Sequence, residues 1–316
     1  MEAYLAVRHQ AEQEDIAAQS ATNLALLWSI LQFAKLDETT KPWLHSVVLE
    51  IERGFRRSED AAFNYVQGAQ WSVDPLAPEL EKIVSVFPAD DVELGMRVLG
   101  PIRVKQSLPA PEADAMAQGK LNSTGVGVKH VMNGGRGQVQ AQVDVDAAGR
   151  GVVFNAGRPE RFKNKPILGY ARFTQSVNPC YFCALLASQG AVYVSKRSFD
   201  ASNAKFVGKG RAKVHDHCMC SLRPVFSEKD KMDARAKYFL EHYKELYNEF
   251  YKATGDQTAM NAYRSRYVPP PPYKDSPELV DLAAVKANLD VLVSRLGVSA
   301  PVSQWYASQV RRLEAG

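Results

Sequence analysis

Cys180, Cys183, Cys218 and Cys220 are the only cysteines in this chain of 316 residues, and they fall into two tight clusters. The first reads Pro179-Cys180-Tyr181-Phe182-Cys183, a C-x-x-C, and the second His215-Asp216-His217-Cys218-Met219-Cys220, an H-x-x-C-x-C. A C-x-x-C turn sets two sulfurs on one side of a bend, and a second cluster can complete a tetrahedral thiolate and imidazole shell. That soft donor set suits Zn2+. Six candidate ligands compete for four places. The short turn fixes Cys180 against Cys183, and Cys218 comes next. His215, His217 and Cys220 contest the fourth place. Cys218 and Cys220 both reach one ion only over a bent backbone, whereas His215, three residues before Cys218, has the easier reach. The expected metal set is therefore drawn from Cys180, Cys183, His215, Cys218 and Cys220, with Asp216 placed to orient a neighbouring imidazole.

Four protein ligands make a structural site, which for small zinc modules supplies folding energy on the order of 10 kcal/mol. Three ligands and a water make a catalytic one. The chain has no H-E-x-x-H, and no Glu lies beside the ligands to serve as a general base, so the structural reading leads. Two others stay open. The thiols can be reduced and metal-free, or one can be a nucleophile. Cys180 falls at an expected helix N-terminus, where the dipole lowers a thiol pKa, and Cys180 or Cys183 with His215 or His217 has the makings of a cysteine hydrolase. Zinc would occupy the thiolates and remove that reactivity. Ser188, in Leu186-Ala187-Ser188-Gln189-Gly190, lacks the preceding glycine of a nucleophile elbow.

The connector between the clusters carries Lys196, Arg197, Lys205, Lys209, Arg211 and Lys213 against a single acid, Asp200, with Tyr193, Phe199 and Phe206 interleaved. A basic loop with aromatics can grip phosphates and stack bases, and a solvated lysine-rich loop has the same composition. Gly208-Lys209-Gly210 and Gly125-Val126-Gly127 lack the setting of a phosphate-binding loop and read as turns.

The elements that must position these residues follow from periodicity. Residues 3–35 hold Leu5, Ile16, Leu24, Leu27 and Leu31 at helical spacing without Pro or Gly, which predicts one long helix. A second is expected after Pro42, with Thr39 or Thr40 before it and Trp43, Val47, Ile51 and Phe55 on one face. Two short helices are expected in 76–99, split by Pro88 before an Asp90-Asp91 cap, then a loop from Pro101 to Pro111. Residues 112–165 are the least readable. Ile167 to Thr174 alternates like a strand, Pro179 to Gln189 reads as a helix closed by Gly190, and Ala191–Ser195 and Ser221–Phe226 read as strands. A helix over 228–253 carries Phe239, Tyr243, Leu246 and Phe250. The prolines of Val268 to Tyr273 make a stiff extended spacer. Beyond it Leu282, Val285, Leu289, Leu292 and Leu296 form an apolar seam that can fold back or dock on a partner helix, followed by a helix near Trp305.

The fold class expected is α+β: a helical region over 1–111, a zinc-stapled module over 112–226, a helical segment over 227–267, a polyproline spacer over 268–275 and an amphipathic helical tail over 276–316. The formal charge of +4 is mild, so contact with nucleic acid rests on local clustering. No apolar run reaches the length that spans a bilayer, and the N-terminus has no basic stretch before an apolar core. Four cysteines in such a chain read as metal-binding or redox rather than a disulfide framework, with synthesis in a reducing cytoplasm.

The run from Cys180 to Tyr193, with its L-A-S-x-G-x-V-Y continuation, then His215 to Cys220 and Pro224-Val225-Phe226, resembles the MuF-like minor capsid proteins of tailed bacteriophages, the actinobacteriophage branch above all. Gly169-Tyr170-Ala171-Arg172-Phe173 is similar to that family's strand before its C-x-x-C. The resemblance covers about 165–226, and Gln189 stands where the family carries arginine. It implies a head-morphogenesis protein of the virion, in the capsid interior near the portal and made in the host cytoplasm. The implied partners are the portal, other head proteins (scaffold or major capsid) and packaged double-stranded DNA, with no membrane. Members of that branch are often labelled capsid maturation proteases, so the resemblance also implies an alternative, a Cys/His-dependent enzyme acting on scaffold or capsid precursors. No protease's catalytic set is legible in these residues.

Overall fold

The computed structural model describes residues 1–32, 35–82, 84–102, 145, 167–173, 184, 187–191, 221–228, 236–241 and 280–315. Helix α1 spans Glu2–Leu27 and runs into a 3-10 turn at Trp28–Ile30. Helix α2 spans Leu36–Val73. The two lie antiparallel, as the order of their cross-contacts shows. His9 stacks on Tyr65, Gln13 donates to Ser58 O at 3.0 Å, Arg57 donates to Gln19 at 2.5 Å, and Asn23 donates to Glu50 at 2.7 Å. As the α1 number rises, the α2 number falls.

The single helix expected over 3–35 ends at Leu27, where a 3-10 turn begins; of its expected stripe Leu5, Ile16 and Leu24 are buried, Leu27 is half-buried, and Leu31 is buried beyond the helix. Its middle is polar, with His9, Gln10 and Gln13 buried between apolar ends. On α2, Trp43, Val47, Ile51 and Phe55 are buried as their spacing requires, in one cluster with Leu24, Trp28 and Leu31. Trp28 and Trp43 meet edge to face at 5.2 Å.

Two expectations are corrected here. Helix α2 begins at Leu36 rather than after Pro42, so Pro42 sits inside it. The threonines expected as a start signal lie within the first turns instead: Thr39 Oγ1 donates to Lys35 O at 2.8 Å and Thr40 Oγ1 to Leu36 O at 2.5 Å. Asp37 and Glu38 occupy the first turn, where carboxylates favour the helix dipole. That early start makes Pro42 an interior proline, which lacks the N–H that would bond Glu38 O and crowds that carbonyl with its ring.

The second correction concerns the two short helices of 76–99. Among the described residues one of them is present, α3 at Ala89–Arg97, with Asp90 and Asp91 in its first turn. The described residues between Val73 and Ala89 form no helix; they make a strap that runs back along α2. Side chains of α2 bind its backbone groups. Trp71 Nε1 donates to Ala77 O at 3.0 Å, Gln67 accepts from Leu80 N, Glu59 accepts from Ser85 N at 2.9 Å, and Arg56 donates to Ser85 O at 2.7 Å. Pro75, Pro78 and Pro88 remove helix donors from this stretch, so bonds from a neighbouring helix replace the intrahelical ones. The chain then turns through Val98–Ile102.

Strands β1 (Gly169–Phe173) and β2 (Ser221–Val225) form an antiparallel ladder, the only sheet among the described residues. Such a mostly helical chain with one small sheet is α+β at that level. All five residues of β1 are buried, as are Leu222 to Pro224 and Val225, so both ladder faces are covered. Tyr170, Phe173 and Leu222 share a core cluster with Leu5 and Ala6 of α1 and Ala62, Tyr65, Val66 and Ala69 of α2. The helical region and the ladder therefore stand on one core rather than on two. Burying each of these large side chains is worth about 1.5–3 kcal/mol.

Helices α4 (Leu282–Leu296) and α5 (Pro301–Ala315) make a C-terminal hairpin. Asp281 caps α4 by accepting from Ala284 N at 3.1 Å, and Pro301 opens α5 at the position where proline fits best. Of the two outcomes the seam allowed, folding back is the one adopted. Val285 and Leu292 are buried with Trp71, Ala77, Tyr306 and Val310. Gly68 lets Trp305 press against α2, because a Cβ there would stand 2.9 Å from the indole. Among the described residues no helix is long and apolar enough to cross a membrane.

Candidate metal centre

Cys180, Cys183, His215, His217, Cys218 and Cys220, the basic loop Lys196, Arg197, Lys205, Lys209, Arg211 and Lys213, and the strand expected at Ala191–Ser195 beyond Ala191 lie outside the described residues. What the structure describes is the frame from which they depart and to which they return. In the ladder register, Gly169 pairs with Val225, Ala171 with Arg223 and Phe173 with Ser221. The C-terminal end of β1 and the N-terminal start of β2 are thus side by side. The chain that carries both clusters leaves and re-enters the fold at that one end.

Distance along the sequence then limits where the clusters can go. Cys220 is covalently joined to Ser221, and Cys218 precedes it by two residues; Cys180 follows Phe173 by seven. Seven residues reach at most about 25 Å when fully extended, and a turn or helix covers far less. A second anchor stands on the other side of the C-x-x-C. Ala184, bonded directly to Cys183, is fully buried with Ala187 against Phe239, which lies in helical segment 236–241.

The helix expected to hold the C-x-x-C is present where the structure describes it. Ala184 and Ala187 are helical, Ser188 N donates to Ala184 O at 2.9 Å, and Gly190 N donates to Ala187 O at 3.1 Å. Gly190 ends it with φ 68, a left-handed conformation that a side chain would resist. Phe239 confirms a core role for the one member of the 228–253 stripe that is described. Ser188 is buried at 3 %, a poor place for a nucleophile.

Two anchors therefore flank the C-x-x-C, and the second cluster abuts a paired strand. The candidate donors that the sequence places between these anchors are four thiols and two imidazoles, with no carboxylate other than Asp216 among them. That chemistry fits a closed Zn2+ shell. Among the described residues, no three His, Cys, Asp or Glu side chains converge on a point.

Sequence reasoning missed a second set of residues. His9 is 3 % exposed, lies flat on Tyr65 with ring centroids 4.4 Å apart, and its buried Nδ1 has no hydrogen-bond partner among the described residues. Burial brings its imidazole down to about 3, so it is neutral at neutral pH. Tyr306 donates to Trp71 O at 3.0 Å, and burial pushes its hydroxyl up to about 12. The helical spacing of Leu5, His9 and Gln13 places His9 on the inner face, but its company from the C-terminal helix has no local signature.

Residues 113–250 match the family model described as VG15 protein, a span that holds both cysteine clusters, the connector and the ladder, and that covers less than half of the chain. No curated protein and no solved structure matches. The similarity is to a viral protein family, and it points to a phage-encoded protein.

Proposed function

We propose that this protein is a minor head protein of a tailed phage, of the MuF-like kind, built around a structural zinc site. The observation that carries the reading is the pairing of Phe173 with Ser221, so that the segment carrying both cysteine clusters starts and ends at one end of the ladder. The match over 113–250 supports a phage origin and spans that same unit. Cys180, Cys183 and Cys218 hold the ion, with His215 or Cys220 as the fourth ligand and His217 as a further candidate. Bound zinc supplies a cross-link, not a reaction. Its effect is to fix the long connector, and with it Lys196, Arg197, Lys205, Lys209, Arg211 and Lys213, on one side of the module, where they face packaged DNA. The protein sits inside the capsid near the portal, and portal, scaffold or major capsid protein is its protein partner.

The test is capsid assembly with the Cys180→Ala chain, scored for precursor cleavage and DNA retention. The structural reading expects a destabilised protein, poor incorporation and cleavage that tracks incorporation. A folded, incorporated Cys180→Ala protein with precursor cleavage abolished would instead establish the maturation protease, with Cys180 or Cys183 as nucleophile and His215 or His217 as base.

A further inference from the structure

The strap between α2 and α3 has a backbone edge with no partner among the described residues. Over 84–88 the chain makes no helix, turn or bend, so it runs extended, and burial alternates along it. Phe87 turns inward against Phe55, while Val84 and Val86 turn outward at 66 % and 85 % exposure. The backbone groups of an extended chain alternate too, to either side of it. Ser85 N donates to Glu59 Oε1 at 2.9 Å, and Ser85 O accepts from Arg56 at 2.7 Å, so both groups of Ser85 point to α2. Arg56 and Glu59 are themselves paired at 2.8 Å and stand where a neighbouring strand would.

The N–H and C=O groups of Val84 and Val86 therefore point away from α2, and no hydrogen bond reaches them among the described residues. Exposed β-branched residues with free backbone groups on one line are a template for strand addition. Charge says what fits it. Residues 1–102 carry sixteen Asp and Glu against eight Lys and Arg, in a chain whose net charge is +4. Glu81, Asp90 and Asp91 are exposed at the two ends of the edge, and Lys82, the only base in 79–91, is bound to Asp60 at 2.6 Å. A second copy would bring the same excess of acid against this edge. A segment with Lys or Arg on either side of its β-branched residues gains at both ends instead.

We infer that the strap edge at Val84–Val86 docks an extended segment of another protein, β-branched at its centre and basic at its ends, by strand addition. Backbone hydrogen bonds to Val84 and Val86 hold the segment, its apolar side chains lie beside the two valines, and its basic ends meet Glu81 and the Asp90-Asp91 pair. The Arg56–Glu59 pair keeps the strap straight from behind. The inference stands apart from the zinc site and from the phage reading.

Binding of labelled peptides to the full chain, read by fluorescence anisotropy, tests this. The probes are Lys-Lys-Val-Thr-Val-Lys-Lys, the same peptide with glutamate for every lysine, and the basic peptide N-methylated at both valines. With threonine opposite Ser85, the valines stand opposite Val84 and Val86. The basic peptide should bind saturably, and more weakly as salt rises. The acidic and N-methylated forms should each bind about tenfold more weakly or worse, the first for want of opposite charge, the second for lost backbone donors. Val86→Pro removes an N–H that the fold itself does not use and should cost a similar factor. If that variant fails to fold, amide exchange on the wild-type chain decides. The Val84 and Val86 amides should exchange fast alone and slowly with the basic peptide, while the Ser85 amide, bonded to Glu59, is slow in both. Four results overturn the proposal: no binding of the basic peptide at millimolar concentration; equal binding of the basic and N-methylated peptides, which marks attraction by charge alone; Val84 and Val86 amides left unprotected at saturating peptide; or a dimer of the free chain in sedimentation that Val86→Pro abolishes, which gives the edge to a second copy.

Discussion

Phe173 and Ser221 face each other across the last rung of the ladder, 48 positions apart in the chain. Both cysteine clusters lie between them, one seven residues in from the first strand and the other ending one residue short of the second. Closing that loop has an entropy cost that grows only slowly with its length, and the ladder has already brought the ends together. A metal ion binding near those ends adds a cross-link where the chain is already converging.

If zinc holds that end of the ladder, loss of a ligand weakens more than the loop. Cys183→Ala removes a thiolate and is attached to Ala184, which is packed on Phe239. Chelation of wild-type protein and this substitution are expected to lower Tm by similar amounts, and chelator should add nothing to the variant. Differential scanning calorimetry with and without chelator measures both.

The strap along α2 depends on Glu59, whose side chain is 4 % exposed. It accepts from Ser85 N at 2.9 Å and pairs with Arg56 at 2.8 Å. Glu59→Ala leaves a backbone donor without its acceptor, so an expected loss of about 2 kcal/mol follows. Urea denaturation should show a lower midpoint with an unchanged slope.

Tyr306 bonds the C-terminal hairpin to α2, and Leu292 sits in the core they share. Tyr306→Phe deletes the bond to Trp71 O and costs about 1 kcal/mol. Leu292→Ala opens the centre of the hairpin core and costs about 2–5 kcal/mol. Limited proteolysis should then cut the tail faster in Leu292→Ala than in Tyr306→Phe, and both faster than wild type.

His9 gives a pH dependence whose sign is fixed by its burial. Its folded pKa is about 3 and its ordinary value 6.5, so the unfolded chain takes up the proton first. The stabilisation is complete above pH 6.5 and is lost progressively as pH falls from there toward 3. At pH 5 the loss from this residue is about 2 kcal/mol. His9→Phe keeps a ring to stack on Tyr65 and removes the titration. Its stability should fall less steeply than wild type between pH 6.5 and 5, read by thermal unfolding at matched ionic strength.

Much of the frame was legible in the sequence because single segments carried it. Trp43, Val47, Ile51 and Phe55 repeat every four residues and are buried together. Gly190 closes its helix in the conformation its type favours, and Gly169–Phe173 and Ser221–Val225 are strands within the expected segments Ile167–Thr174 and Ser221–Phe226. What sequence could not give was supplied by distant partners. Prolines 75, 78 and 88 break a helix, but only α2 determines that the broken stretch becomes a strap. Pro42 looked like a helix start because proline is favoured there, yet Asp37 and Glu38 had already opened the helix. Full burial of both ladder faces follows from docking on α1 and α2, which alternation along one strand does not encode. The cysteine pattern offers candidate donors, and the ladder register adds only that the segment carrying them starts and ends at one place.

Zinc K-edge X-ray absorption on purified full-length protein tests the central claim most directly. The account predicts about one zinc per chain with sulfur neighbours at about 2.3 Å in a four-ligand shell. Protein that is folded and free of zinc, or zinc surrounded only by nitrogen and oxygen, would contradict it.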